Sequence, residues 1–562
     1  AAVPNGVVVF GTENSRHGNK INVATETYSA SADYTLGRFT LTGGMDREEA
    51  AFLNLFRQSS YGVLGYTNVA NFVADTPFAF TRSLVQTGLP IADVSEFEQT
   101  AIFGQVKTEL SNRFNFTLGL RYDWMGSAIP PTENVAFRNA FGLTNAGTID
   151  GTSLLAPRSG FNLALDDERN TQIRGGLGVI LGRNPWVWIS NAYGGTGVGR
   201  FGQALTATST PAAPNLATYL RTGFDPANPV GTSPTAPPAA ASAISLTQPG
   251  LKLPTILRGN LALDHKLAAL GANLTLEYIY TDNMQALFID NLNLRPTTVG
   301  ADGRQRFAGN ASAQPRIAGF QNVLRLKNVK EGGSRYWSIQ LDRPIRKGWG
   351  WNAAYTRGNA KEAQNMGSST AGSTWQFNAV FNQGAVETAR SDFEIRDRVI
   401  AGVTKEFKYW RDLKSTVSLF YEGRSGSPYS WVYTTDLNTD GFSSNDLVAV
   451  PTGGTDARFD FATLNAAQLA GYLRFFEQNG LSRYAGGHAQ KNSHLQPWQN
   501  RLDLRFQQEI PTVGPVKVKL FLDFMNFGSW LSTDLFNYIE THTNAINTGI
   551  VRNVPGASYN AA

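Results

Sequence analysis

Residues 114–123 read FNFTLGLRYD. Phe114, Phe116, Leu118, Leu120 and Tyr122 share one parity; Asn115, Thr117, Gly119, Arg121 and Asp123 share the other. Successive side chains of a strand point to opposite faces, so this segment, if extended, has one wholly apolar face and one polar face. The pattern recurs along the chain. Leu257, Leu261 and Leu263 alternate with Arg258 and Asn260, and Leu274, Leu276, Tyr278 and Tyr280 with Thr275 and Glu277. Trp337, Ile339 and Leu341 alternate with Gln340 and Asp342, and Leu502, Leu504 and Phe506 with Arg501, Asp503 and Arg505. Val516, Val518, Leu520, Leu522 and Phe524 alternate with Lys517, Lys519 and Asp523. An ionised side chain on a lipid-facing position costs roughly 2–4 kcal/mol at mid-membrane, which confines charge to one parity. Ile279, Ile400, Phe420 and Phe521 break the pattern and are expected to pack inside the lumen. The fold predicted is all-β, an antiparallel transmembrane β-barrel with its apolar face in lipid and its polar face toward the lumen.

Composition agrees. The chain has 562 residues, 17% charged and 11% aromatic, with 56 glycines and no cysteine. No apolar run approaches the roughly 18 residues that argue for a spanning helix, whereas a barrel exposes only alternate residues to lipid. Absence of cysteine excludes disulfide scaffolds and thiolate chemistry. The net charge of +5 is spread without a basic stripe, so no nucleic-acid partner is expected.

Hairpins are expected at 25–34 with 39–48, 97–110 with 114–124, 158–165 with 171–181, 255–263 with 273–281, 335–343 with 350–357, 396–407 with 415–423, and 500–508 with 516–524. They give about fourteen strands joined by short turns, among them those expected over 344–347, 409–412 and 511–515. Between them lie long segments at 183–250, 285–334, 358–391 and 424–498. Barrels of this kind carry short periplasmic turns and long extracellular loops. Trp124, Trp349, Trp351, Tyr355 and Tyr421 fall near strand ends, as interfacial girdles require. Residues 1–10 lack a signal-peptide pattern, and residues 555–562 lack a closing aromatic-terminated strand. Residues 1–562 are therefore read as one incomplete barrel.

Several words of the sequence are familiar in combination. KLPTILRGNLALD at 252–264 and LEYIYTDN at 276–283 resemble the barrel of Oar-like TonB-dependent outer-membrane receptors. So do FGQ at 103–105, LGLRY at 118–122, APR at 156–158, RGG at 174–176, YEGRSGSPY at 421–429, DLNTDG at 436–441, NDL at 445–447 and NFG at 526–528. The resemblance implies a barrel of about 22 strands with a plugged lumen, of which this chain holds about fourteen. The plug, the TonB-contacting segment, the early strands and the last strand would lie outside this sequence. It further implies a bacterial outer-membrane receptor, not an enzyme, that moves a bulky extracellular ligand across the membrane, energised through the TonB complex. A passive porin or surface adhesin is the alternative from the residues alone, and a secreted all-β carbohydrate-active protein the third.

The strongest local constellation is Asp436, Asn438 and Asp440 with Gly441, followed by Asn445 and Asp446. Oxygen donors at positions one, three and five with glycine at six resemble a calcium loop, although position twelve is Leu447 and not glutamate. Ca2+ is the single cofactor suggested, and none is required; an Asx-rich turn is the alternative. Five scattered histidines show no zinc spacing. Ser425 lies in GRSG without a nucleophile-elbow pattern. Trp186, Trp188 and Tyr193 suit either stacking on a flat ligand or anchoring at a strand top. Arg121, Arg258, Arg398, Arg501 and Arg505 take the lumenal parity, where they line the barrel, meet a plug or guide a solute.

Overall fold

The computed structural model describes residues 8–9, 11, 13–16, 18–206, 231–233, 242–307, 317–408, 413–512, 516, 518–536 and 558–559. Fourteen long strands form the wall. Asn19–Leu36 (β1) and Phe39–Phe56 (β2) make the first hairpin, Asp93–Ser111 (β3) and Phe114–Gly126 (β4) the second. Ser153–Ala164 (β5) and Thr171–Leu181 (β6) follow, then Thr255–Leu267 (β7) and Ala272–Asn291 (β8). Gly332–Arg346 (β9) and Trp349–Glu362 (β10) precede Asp397–Lys408 (β11) and Lys414–Arg424 (β12). Gln499–Ile510 (β13) and Val518–Phe524 (β14) end the series. Each strand pairs antiparallel with the next, from β1 to β14. Three shorter strands extend this wall to a 17-stranded sheet. Among the described residues β1 and β14 do not pair, so the sheet is open along those edges.

All seven expected hairpins are present, mostly with longer arms. The reason is visible at the turns. Leu36 pairs with Phe39 across Gly37-Arg38, and Gly37 takes φ +59° at the first turn position. The turn expected over 344–347 is instead Lys347-Gly348, with φ +52° and +76°. A two-residue turn with both φ values positive matches the twist of the flanking strands. The turn at 409–412, part of that at 511–515, Lys517, His17 and His542 lie outside the described residues.

The two faces separate as the alternation requires. Leu118, Leu120, Leu261, Ile339, Val403, Leu419 and Leu520 are exposed on the outer face. Arg121, Glu277 and Arg501 point the other way and are half-buried among polar partners. Trp124, Trp349 and Tyr355 stand exposed in the outer wall, as girdle residues do. Ile279, Ile400 and Phe420 are half-buried on the lumenal parity. Phe521, by contrast, is 65% exposed, because β14 has no neighbour on its outer edge among the described residues.

The long segments are structured. Helices Trp186–Gly194 (α1) and Ala371–Gln376 (α2) pack with inward residues of the upper wall. Phe52, Phe97, Ile189, Ile289 and Trp375 share that core. The segment between β12 and β13 has a core of its own, in which helix Ala466–Gln478 (α3) sets Tyr472 and Phe476 against Trp431, Val448 and Val450. A capping box at Asn465 and Gln468 starts α3 by satisfying otherwise orphaned amides.

Candidate functional site

The lumenal wall is a ladder of ion pairs. Arg121 binds Asp46 and Asp123, and Gln99 donates to Asp123 at 2.7 Å. Arg174 meets Asp264 at 2.9 Å and Glu277 at 3.4 Å. Arg398 pairs with Glu422 at 2.7 Å, Arg501 with Asp503 at 2.7 Å and Arg505 with Asp523 at 2.5 Å. These strands therefore carry their counter-charges with them. Arg258 is different. It and Arg158 flank Gly178 on the same face, one from each neighbouring strand. A Cβ on Gly178 would lie 3.0 Å from that of Arg158, so glycine leaves room for both stems. Neither arginine has an ion-pair partner among the described residues, and both line a lumenal cleft of about 600 Å³. Arg158 was not singled out from the sequence; the glycine-rich inward face of β6 was the available signal.

The upper mouth corrects one expectation. Trp186 and Tyr193 are neither a stacking platform nor a lipid anchor. Both are buried, and Phe97 stacks on Trp186 at 5.0 Å and meets Tyr193 edge-on. Trp186 Nε1 donates to Glu48, and Trp188 Nε1 donates to the Ser368 carbonyl. These rings hold α1 in the mouth of the wall. Ser425 is likewise structural: its Oγ accepts from the amides of Arg396 and Asp397.

The Asp436–Asp446 loop is held on buried ground between β12 and β13. Asp436 accepts from the amides of Asp440 and Gly441 at 3.1 and 2.8 Å. Asp446 accepts from the amides of Leu437 and Asn438, and its other oxygen meets Arg304 at 3.0 Å. These two carboxylates thus serve the backbone and a cation. The five predicted residues share one loop: Asp436 Oδ1 and Asn438 Oδ1 both accept from Asp440 N, and the side chains of Asn438 and Asn445 gather on the Asp440 carboxylate. Both asparagine amides lie within 3.3 Å of Asp440 Oδ2. Asn445 is 1% exposed, and its Oδ1 has no hydrogen-bond partner. Burial pushes the Asp440 carboxyl up to about 7, with Asp436 and Asp446 adding repulsion. Among the described residues no three His, Cys, Asp or Glu side chains form a metal cluster.

Sequence reasoning missed Arg304. It comes from the segment after β8, is fully buried, bonds Asp302 and Asp446, and donates to the Leu447 carbonyl. Its guanidinium also lies 4.6 Å from the Phe381 ring centre. Nearby, Phe307 N donates to the Asn438 carbonyl, so two separate long segments are tied together.

The fold resembles solved outer-membrane structures, and the chain spans about half their length. The FrpB iron transporter of Neisseria meningitidis is 10% identical, with 90% of this chain and 52% of that chain covered and a TM-score of 0.42. The outer membrane transporter YddB of Escherichia coli is 11% identical over 91% and 51%, with a TM-score of 0.44. The ferric enterobactin receptor PfeA of Pseudomonas aeruginosa is 12% identical over 90% and 49%, with a TM-score of 0.43. No curated protein matches the sequence. A family model described as outer membrane beta barrel domain matches residues 2–530. With its strands paired in series, lipid-type residues outside and ion pairs inside, the chain belongs to the outer membrane beta barrel domain family and is a protein of the bacterial outer membrane.

Proposed function

We propose that this chain is barrel wall from an Oar-like TonB-dependent receptor, which moves a bulky ligand across the outer membrane with energy delivered through TonB. The carrying observation is the asymmetry of the two rims: tight turns on one side, and on the other long segments with packed cores of their own. Such segments suit ligand recognition, and the Arg158–Arg258 cleft suits contact with an anionic group of a solute or of protein filling the lumen. Among the described residues the outer edges of β1 and β14 are unpaired, which supports a wall closed by further pairing, because unpaired backbone groups in lipid are costly. The test is genetic. Deleting this gene and deleting TonB in the native bacterium should produce the same growth or secretion defect, without further loss when combined. Additive defects, or steady open-channel conductance of the native protein in planar bilayers, would replace this reading with a passive porin.

We also propose that Asn438, Asp440 and Asn445 hold Ca2+. The unpartnered Asn445 Oδ1 supports this, because a half-turn of an asparagine amide exchanges its nitrogen and oxygen. Calcium would then pin the loop over the mouth. Calorimetric titration of the native protein should show Ca2+ binding with Kd on the order of 0.1–1 mM, as in extracellular modules. Asn445→Leu should abolish it. No heat with the unaltered protein would leave the loop as an Asx turn.

A further inference from the structure

Between the outer wall and the loop canopy lies a cavity of about 910 Å³, and its walls are cationic. Five arginines and two lysines line it, against Glu387 and Glu394. Arg335, Arg357 and Lys361 rise from β9 and β10; Arg390, Arg483 and Lys491 come from the long segments above. Their side is fixed by register. Arg357 pairs directly with Trp337, and Trp337 is 64% exposed on the lipid parity, in the cavity wall. Arg335 and Lys361 share that parity and are exposed. This cavity therefore opens outward, not into the lumen.

Its height is fixed as well. A tilted strand crosses the hydrocarbon in about 9–11 residues. Counting from the tight turn between β9 and β10, Trp337 falls at the upper limit of that span. Arg335 and Lys361 fall just beyond it, in the headgroup layer. Below them the outer face is apolar and aromatic, with Tyr278 and Trp337 rings 4.2 Å apart and Ile339 exposed beneath. The cavity sits where an acyl chain would end and a headgroup begin.

Part of the positive charge is already compensated: Arg357 meets Asp397 at 3.1 Å and Arg390 meets Glu394 at 3.0 Å. Arg335 lies over the Tyr280 ring at 5.3 Å, and Arg483 donates to the Ser493 carbonyl. Among the described residues, Arg335, Lys361, Arg483 and Lys491 have no carboxylate partner, against one lining carboxylate, Glu387, without a cation partner. This excess of cations around one cavity at the membrane surface selects an anion with several oxygens, and guanidinium groups match phosphate geometry. We propose that this cavity binds the phosphorylated headgroup of an outer-leaflet glycolipid, whose acyl chains lie along Trp337 and Ile339.

The proposal needs only the outer-membrane location and stands apart from energised transport. The protein, extracted from its membrane in mild detergent, is titrated with bisphosphorylated lipid A, the same lipid after phosphatase treatment, phosphatidylethanolamine, and inorganic phosphate, with binding read by native mass spectrometry. Retention of the bisphosphorylated lipid alone is expected. Arg335→Gln with Lys361→Gln should weaken it about 30-fold, the effect of removing two cations at a membrane surface. Lys405→Gln, at the opposite rim, should leave it unchanged. Equal retention of the dephosphorylated lipid, or saturation by inorganic phosphate at the same concentration, would overturn the proposal. Because these comparisons use the unaltered protein, they decide the matter even where a variant fails to fold.

Discussion

Arg304→Ala should open the loop that carries Asp446. Removing one member of a fully buried ion pair leaves the other charge without compensation, at a cost of about 3–5 kcal/mol. Here the side chain is enclosed, and it serves Asp302, Asp446 and the Leu447 carbonyl together. Backbone amides that depend on this loop, such as Leu437 N on Asp446, should lose protection with it. Hydrogen exchange across 436–447 should accelerate more than a hundredfold, since each 1.4 kcal/mol is about a factor of ten. Arg304→Lys should be intermediate: it keeps the charge but cannot span the same partners. The wall strands should exchange as before. Unchanged exchange in Arg304→Ala would show that the packing around Trp431 and Val448 holds this loop without the cation.

Ile339→Arg should destabilise the wall by roughly 1–2 kcal/mol, because the penalty for a lipid-facing arginine, roughly 2–4 kcal/mol at the midplane, falls toward the interface that Trp337 marks. Ile339 lies midway along β9 and is 44% exposed on the outer face. Ser338 is its neighbour on the opposite parity, paired with Glu277 and Thr356 across the two adjacent strands. Ser338→Arg therefore adds a cation to a polar lumen next to a carboxylate, and should cost far less. Urea unfolding of the two variants in lipid vesicles measures the difference directly. Equal destabilisation, or a larger loss for Ser338→Arg, would reverse the assignment of the faces.

The hairpins were legible because their causes are local. Gly37, and Gly348 after Lys347, permit turn conformations that other residues resist. Leu118 and Arg121 fall on opposite faces whatever the rest of the chain does, since the side-chain period of a strand is two. The calcium-like spacing of Asp436, Asn438 and Asp440 was equally plain, but the use of each oxygen was not. Asp446 belongs to Arg304, which lies 142 residues away in the chain, and no spacing rule joins them. Trp186 looked like a ligand platform or an anchor because its partner, Phe97, sits on a strand far earlier in the sequence. The outward cavity was hidden for the same reason: β9 and β10 supply its base, and residues near Arg390 and Lys491 its roof.

Alternation of residue type, read along the chain, determined that this protein is a sheet with a lipid face and a water face, and where its strands reverse. That much follows from backbone geometry and the energy of placing charge in hydrocarbon. Tertiary structure alone decided which long segments fold into the mouth, which carboxylates are already occupied, and where uncompensated cations gather. Those outcomes depend on contacts between distant segments, whose closure entropy and packing are properties of the whole fold.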